Sequence, residues 1–337
     1  MSLLTWLAKE ISLELLDMED TATLFPNIVG QDAAKRQLEF YLQGYNATSV
    51  IPHIMFTAPR GCGKTLMAKG LARHLKNKET GRAKKFFEIN CSTLKNVKQF
   101  FNQIVVPHLV NNDATILFDE ASELPKDLTM ALLTILNPNA ENRTTFAYDD
   151  YNVDFDFRRL SFVFCTTEAQ QVFHALMDRM ERIDLEEYSY DDLGTIVRRA
   201  LIDYNIDDKA LERISKVLRG NARAAQKMAG KLKLYMDGFG QKKFGLDDWK
   251  QLRHTLGILP LGLSKIELQV LRILLEKKEC SLTHLAAKTS LTKGCLQRDY
   301  ELYLQKMNLM EISTAGRKIT KKGKDYLDRL DKALKEC

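Results

Sequence analysis

The chain has 337 residues, of which 45% are apolar and 28% charged, and carries a net charge of +6. That composition fits a globular protein with core enough for two or three domains, and its charge permits nucleic-acid binding without proving it. No apolar run approaches the ~20 residues of a membrane span, which excludes a helical membrane protein.

The first stretch, MSLLTWLAKEISLELLDMED, places Leu4, Leu7, Ile11 and Leu15 on one helical face. Lys9, Glu10 and Glu14 interrupt it, so it lacks the unbroken apolar core of a signal peptide. It reads as an arm over residues 1–24 that docks on the body or on a neighbouring subunit. Residues 25–187 then alternate apolar strands with helical segments, the pattern of a doubly wound parallel α/β domain. Strands are expected at 53–57, 86–89, 115–119, 161–165 and 182–185. After the first comes APRGCGKT, residues 58–65. Here Gly61 and Gly63 let the backbone curl so that N–H groups face phosphate oxygens, at the N-terminus of a helix beginning near Lys64. Lys64 reaches the β- and γ-phosphates, and the Thr65 hydroxyl is placed to ligate Mg²⁺. The phosphate-binding turn comprises Pro59, Arg60, Gly61, Cys62, Gly63, Lys64, Thr65 and Leu66, with Ala58 where the usual motif opens on glycine. A basic stretch follows, Lys76, Lys78, Arg82, Lys84 and Lys85, and reads as a solvated loop.

TILFDEA ends the 115–119 strand on Asp119 and Glu120, a carboxylate pair to hold magnesium and activate water. Next, Phe146, Tyr148, Val153, Phe155 and Phe157 alternate with polar residues around Asp149-Asp150-Tyr151-Asn152, which predicts a β-hairpin over 144–157. Its Asp149, Asp150, Asp154 and Asp156 would be repelled by phosphates, so the hairpin suits a protein contact better than DNA. Residues 188–257 read as wholly helical, with four amphipathic segments, and GILPLGLS marks the next boundary. Residues 258–337 form the last domain, in which 264–330 read helix, helix, helix, short hairpin, last helix. The six cysteines are dispersed without metal-ligand spacing and read as reduced thiols of a cytoplasmic protein.

These motifs resemble AAA+ ATPases, and among them the RuvB branch-migration motors, from Phe25 to about Leu330. FPNIVGQDAAKRQLEFYL is similar to the family's opening segment near the adenine, which puts Ile28 and Val29 at the base. Where that family has an Arg-Pro pair, this chain has Thr21-Ala22-Thr23-Leu24. The resemblance implies ATP and Mg²⁺, the metal held by Thr65 and Asp119, with Glu120 polarising the attacking water. FVFCTTEAQ resembles the sensor 1 strand and places its polar residue at Thr166. ALMDRMERIDL places an arginine finger at Arg179, acting in a neighbouring subunit's site and so implying a homo-hexamer. LRGNARAAQKMA places the sensor 2 arginine at Arg223. For both arginines the bland alternative is a surface ion pair.

The C-terminal segment resembles the winged-helix domain that ends RuvB. It offers Lys293, Gln297 and Arg298 on a recognition helix, although Arg298 could instead pair with Glu301, and Arg317 and Lys318 on a wing followed by Lys321. Arg317 is the strongest candidate for a narrow minor groove. The resemblance implies duplex or branched DNA as partner, and a RuvA-like protein on the 144–157 hairpin. The leading expectation is an ATP-driven ring motor for branched DNA. Its rivals are a nucleotide-switched initiator or loader, and a protein remodeller using the winged helix as an adaptor.

Overall fold

The structure is a computed structural model and describes residues 24–77, 80–148 and 151–335. The expected arm over 1–24 lies outside the described residues except for Leu24, as do Lys78, Asp149, Asp150 and Cys337. Packing divides the chain into two compact units, one running up to Ala200 and including Gly220–Gly230, the other formed by Leu201–Arg219 and the chain from Lys231.

The first unit starts with helix α1 (Asp32–Thr48) and strand β1 (Ile54–Thr57), followed by α2 (Lys64–Ala72) and β2 (Lys85–Asn90). Helix α3 (Val97–Phe100) runs on as a wider π-type helix over Phe101–Leu109, then come β3 (Ala114–Asp119) and α4 (Lys126–Ile135). The hairpin β4 (Arg143–Tyr148) and β5 (Tyr151–Asp156) precedes β6 (Leu160–Thr166), α5 (His174–Met177) and β7 (Glu181–Asp184). Helix α6 (Tyr190–Ala200) follows. The main sheet has the order β2-β3-β6-β1-β7, and each of its pairs is parallel.

Such a sheet is covered on both faces, so its central strands must be apolar throughout. Alternation then sorts the side chains into two cores. Ile116, Phe118, Phe162 and Phe164 enter one with Phe100, Phe101 and Phe155. Leu117, Val163 and Cys165 enter the other with Leu38, Phe56 and Leu71. Rings of Phe118 and Phe164 stack at 4.7 Å across the β3–β6 pair. Every expected strand occurs within one residue of its predicted bounds, because apolar runs of this kind have few alternatives.

The predicted hairpin forms, and its apolar face packs on the first core: Val153 and Phe155 are buried, and Phe101 stacks on Tyr148 at 4.3 Å. Its acidic character is reduced. Asp154 accepts from the Thr145 hydroxyl, and Asp156 pairs with Arg143 at 3.1 Å and with Arg158 at 3.4 Å.

Lys84 corrects the solvated-loop reading. It is 4% exposed and donates from Nζ to the Ser161 hydroxyl at 3.0 Å, and burial pulls its pKa down to about 8.

His53, one residue before β1, is likewise buried, edge-on to Phe157 at 4.8 Å, and its Nδ1 has no partner among the described residues. Burial lowers its pKa from 6.5 to about 4. Above pH ~6.5 the ring is neutral whether folded or unfolded, and stability is full. Between there and pH about 4 only the unfolded chain takes the proton, so stability falls by about 3 kcal/mol and then levels off. Urea unfolding at stepped pH should show this slope in the natural chain, and His53→Phe should flatten it. An unchanged slope would place the acid sensitivity elsewhere.

The second unit holds β8 (Asn205–Ile206), α7 (Asp208–Ser215), the far part of α8 (Ala222–Gly238), β9 (Lys243–Phe244) and α9 (Leu246–Thr255). The expected all-helical stretch thus includes one short parallel pair, β8 with β9. The winged helix follows: α10 (Lys265–Lys277), β10 (Glu279–Cys280), α11 (Leu282–Thr289), then α12, whose segments Lys293–Cys295, Leu296–Glu301 and Leu302–Lys306 run on from one another. Strands β11 (Met310–Ile312) and β12 (Arg317–Ile319) form the wing, β10 adds a third strand against β12, and α13 (Lys321–Lys335) closes the unit. Ser264 and Glu267 cap α10 reciprocally, and Glu267 is wholly buried against the Arg219 guanidinium at 2.8 Å.

Candidate functional site

Strands β1, β3 and β6 end on one edge of the parallel sheet, and in such sheets the carboxyl ends of the strands carry the ligand. A cavity of about 740 Å³ opens there, lined by Arg60, Gly61, Gly63, Lys64, Thr65, Leu66, Asp119, Glu120 and Arg223 among others. One site therefore collects the glycine turn, Asp119 with Glu120, and Arg223, from segments far apart in the chain.

The turn between β1 and α2 has Gly61 and Gly63 at φ +83° and +92°, a region in which side-chain-bearing residues are strained. A Cβ on Gly63 would lie 2.9 Å from the Tyr188 hydroxyl. Ala58 has no positive φ; it is buried, and its N–H donates to Thr166 O at 3.4 Å. Glycine's conformational freedom is therefore not needed at that position, and alanine fills it. Lys64 Nζ donates to the carbonyls of Ala58 at 2.8 Å and Pro59 at 3.2 Å, folded back on its own turn. Burial lowers the Lys64 pKa, while Asp119 and Glu120 are among the charges that oppose the shift. Thr65 Oγ1 donates to Asp119 Oδ2 at 3.2 Å, so the two expected metal ligands are neighbours. Their oxygen-only donors suit a hard divalent cation. Glu120 follows in a left-handed conformation, φ +57°, with its N–H on Asp119 Oδ1 at 3.1 Å.

Several expected residues are placed differently. Ile28 belongs to the core at 6% exposure, whereas Asn27 and Val29 on either side of it line the cavity. Cys62 is also core, 1% exposed. Thr166 is wholly buried, and its Oγ1 accepts from Glu168 N–H at 3.0 Å; the adjacent Thr167 lines the cavity in its place. Arg179 is not presented as a free finger. Its Nε donates to Leu133 O at 3.0 Å and its other guanidinium nitrogen to Ala175 O at 2.5 Å. Arg182, three residues further on, pairs with Asp184 at 2.9 Å.

Sequence reasoning missed Tyr188, Arg199 and Gln226, which also line the cavity. Burial pushes the Tyr188 phenol up to about 12, so it acts as a neutral hydrogen-bonding group. Arg199 donates to Pro26 O at 2.8 Å. No local pattern marks these residues, since α6 and α8 bring in Arg199 and Gln226, and the segment between β7 and α6 brings in Tyr188.

In the winged helix, Arg317 gives the clearest correction. Its guanidinium turns inward, away from solvent, and makes two hydrogen bonds to Glu301, Nε to Oε1 at 2.9 Å and the second nitrogen to Oε2 at 3.1 Å. Glu301 is 1% exposed, so a buried carboxylate holds the arginine rather than a groove. Arg298, expected to choose between a groove and Glu301, lies at 3.1 Å from Asp299. Lys318 pairs with Glu311 at 3.1 Å on the exposed wing, a contact too solvated to hold it firmly. Lys293, Gln297 and Lys321 are exposed.

Residues 54–188 match the model of the ATPase family associated with various cellular activities (AAA), and residues 260–328 match the RuvB C-terminal winged helix domain. The Holliday junction branch migration complex subunit RuvB of Lactobacillus gasseri is 23% identical over 326 residues, covering 92% of this chain and 91% of that protein. Its counterpart in Ehrlichia ruminantium is 24% identical, over 94% of this chain and 96% of that protein. Among solved structures, the Thermotoga maritima RuvB Holliday junction branch migration motor superposes with a TM-score of 0.71 at 22% identity, over 89% of this chain and 95% of that one. The structural likeness bears on the fold alone. Among the described residues, no helix is long and apolar enough to cross a membrane.

Proposed function

The chain being a RuvB-like AAA+ ATPase, we propose that it is an ATP-driven ring motor that moves duplex DNA and migrates Holliday junctions or related branches. The observation that carries this reading is a single chain holding both a cavity lined by the glycine turn, Lys64, Asp119 and Glu120 and a match to the RuvB C-terminal winged helix domain. We take that work to be cytoplasmic, in keeping with the absence, among the described residues, of a helix able to cross a membrane.

In this reading the turn at Gly61 and Gly63 holds the phosphates, and Lys64 exchanges its backbone carbonyls for phosphate oxygens. Thr65 and Asp119 hold a magnesium ion, which when bound neutralises charge on the transferring phosphoryl group. Glu120 takes a proton from the attacking water, and Thr167 rather than Thr166 is positioned to orient that water. Arg223 contacts the γ-phosphate and loses that contact on hydrolysis, and α8 continues from the site past Gly230 into the second unit. A hexamer would place Arg179 at a neighbour's site, where it must first give up the carbonyls of Leu133 and Ala175. Lys293, Lys318, Arg298 and Lys321 contact DNA phosphates, while Arg317 supports the wing from behind. A RuvA-like partner would meet the 144–157 hairpin.

One observation favours a second reading, a nucleotide-switched loader or remodeller: both wing cations, Arg317 and Lys318, have carboxylate partners within the same unit. ATPase rates of the full chain with single-stranded, duplex and four-way DNA separate the two. A motor is expected to be stimulated most by four-way DNA and least by single strands, and Lys293→Ala with Lys321→Ala should reduce the salt slope of binding by up to ~2. Equal rates with and without each DNA would reject the motor and leave the switch.

A further inference from the structure

We infer that Asn221 is a positioning residue that sets the backbone of the phosphate turn, an inference that rests on the cavity being a nucleotide site. Asn221 directly precedes α8, and the two ends of its amide do different jobs. Oδ1 accepts from Ala224 N–H at 3.0 Å, capping the helix. Nδ2 donates to the Arg60 carbonyl at 3.0 Å, in the middle of the turn. Beside it, Ala222 N–H donates to the Gly61 carbonyl at 3.0 Å, and Tyr188 N–H donates to Gly220 O at 3.2 Å.

A trans peptide directs its C=O and N–H to opposite sides. With the carbonyls of Arg60 and Gly61 held toward the start of α8, the N–H groups of Gly61 and Cys62 are directed away from it. A phosphate cradle needs its N–H groups oriented as a set. Approach is so close that a Cβ on Gly61 would sit 2.1 Å from Asn221 Oδ1. Gly61 is thus required by its positive φ and again by the asparagine packed on it. Two residues later the same segment delivers Arg223 to the cavity.

Only an amide fits both tasks. Aspartate caps a helix as well as asparagine does but has no proton to donate, and serine caps without the reach to bond the turn as well. That chemistry separates a structural cap from a positioning role. Asn221→Ser in the full chain should leave the unfolding midpoint near that of the natural protein and raise KM for ATP roughly three- to tenfold, the worth of one hydrogen bond. kcat should change less than twofold. ADP, titrated directly with a fluorescent analogue, should weaken by the same factor, because the turn binds phosphates that both nucleotides share. Asn221→Asp provides a second variant with the cap intact.

Unchanged affinity for both nucleotides in both variants would overturn the inference. So would a loss confined to ATP, which would assign Asn221 to Arg223 alone, or a loss matched by a lowered unfolding midpoint. If the natural chain binds neither nucleotide, the nucleotide reading itself fails, an outcome distinct from any of these.

Discussion

Glu120→Gln is expected to leave ATP binding intact and to slow hydrolysis by ~10²–10⁴-fold, the range for removing a positioned general base. The geometry supports a separation of binding from chemistry. Lys64, Gly61 and Gly63, which the proposed function puts on the phosphates, line the cavity from the turn, and the Thr65 hydroxyl pairs with Asp119 at 3.2 Å without the Glu120 side chain. Gln keeps the shape and hydrogen-bonding capacity of Glu120 and loses its basicity. The backbone provides a second, independent readout. Glu120 sits at φ +57°, which costs a non-glycine residue roughly 1–2 kcal/mol. Glu120→Gly should therefore abolish hydrolysis while stabilising the fold by up to ~1 kcal/mol, a pairing of lost activity with gained stability. Single-turnover hydrolysis and urea unfolding of the same preparations test both. Hydrolysis persisting in Glu120→Gln within tenfold of the natural rate would remove Glu120 from the role of base.

The second large effect is expected at Arg317. Replacing it by Ala leaves the Glu301 carboxylate buried without a partner, and breaking a buried pair from one side costs ~3–5 kcal/mol. A winged helix of this size would unfold well before the rest of the chain. Changing both partners, Glu301→Leu with Arg317→Met, should recover most of that loss, because an apolar pair of similar volume needs no compensating charge. DNA affinity distinguishes the two roles of Arg317. As a wing support, it should lose affinity in Arg317→Ala and regain it in the double variant. If Arg317→Ala folds with unchanged stability and still loses DNA binding, the arginine contacts DNA directly and the inward geometry is not the bound one.

The contrast between these two residues shows what could be read locally. The place of Glu120 at the cavity was legible because its neighbours in sequence define it: an apolar strand, then Asp119, at a fixed place after a glycine-rich turn. The five-stranded sheet was legible for the same reason, its buried strands being continuous apolar runs. Arg317 looked like an exposed wing cation because its neighbours Gly316 and Lys318 suggest one. Its partner lies 16 residues earlier, on the inner face of a helix. Thr166 and Thr167 could not be told apart by pattern, since one residue along a strand end reverses the side chain. Lys84 reads as one of a run of loop cations until Ser161, 77 residues on, is seen to receive it.

Strands, the phosphate turn, the carboxylate pair, the hairpin and the order of helices in the C-terminal unit all follow from short-range chemistry: side-chain period, glycine dihedrals and the position of charge after an apolar run. Those signals were enough for the architecture and for the chemistry of nucleoside triphosphate hydrolysis. Which cations are engaged inside the protein was decided by packing, because that depends on whether a carboxylate or carbonyl lies within ~3 Å of them. Asn221 and Arg60, 161 residues apart, illustrate the same dependence. No sequence window contains both, and only folding gives the amide the carbonyl to which it donates.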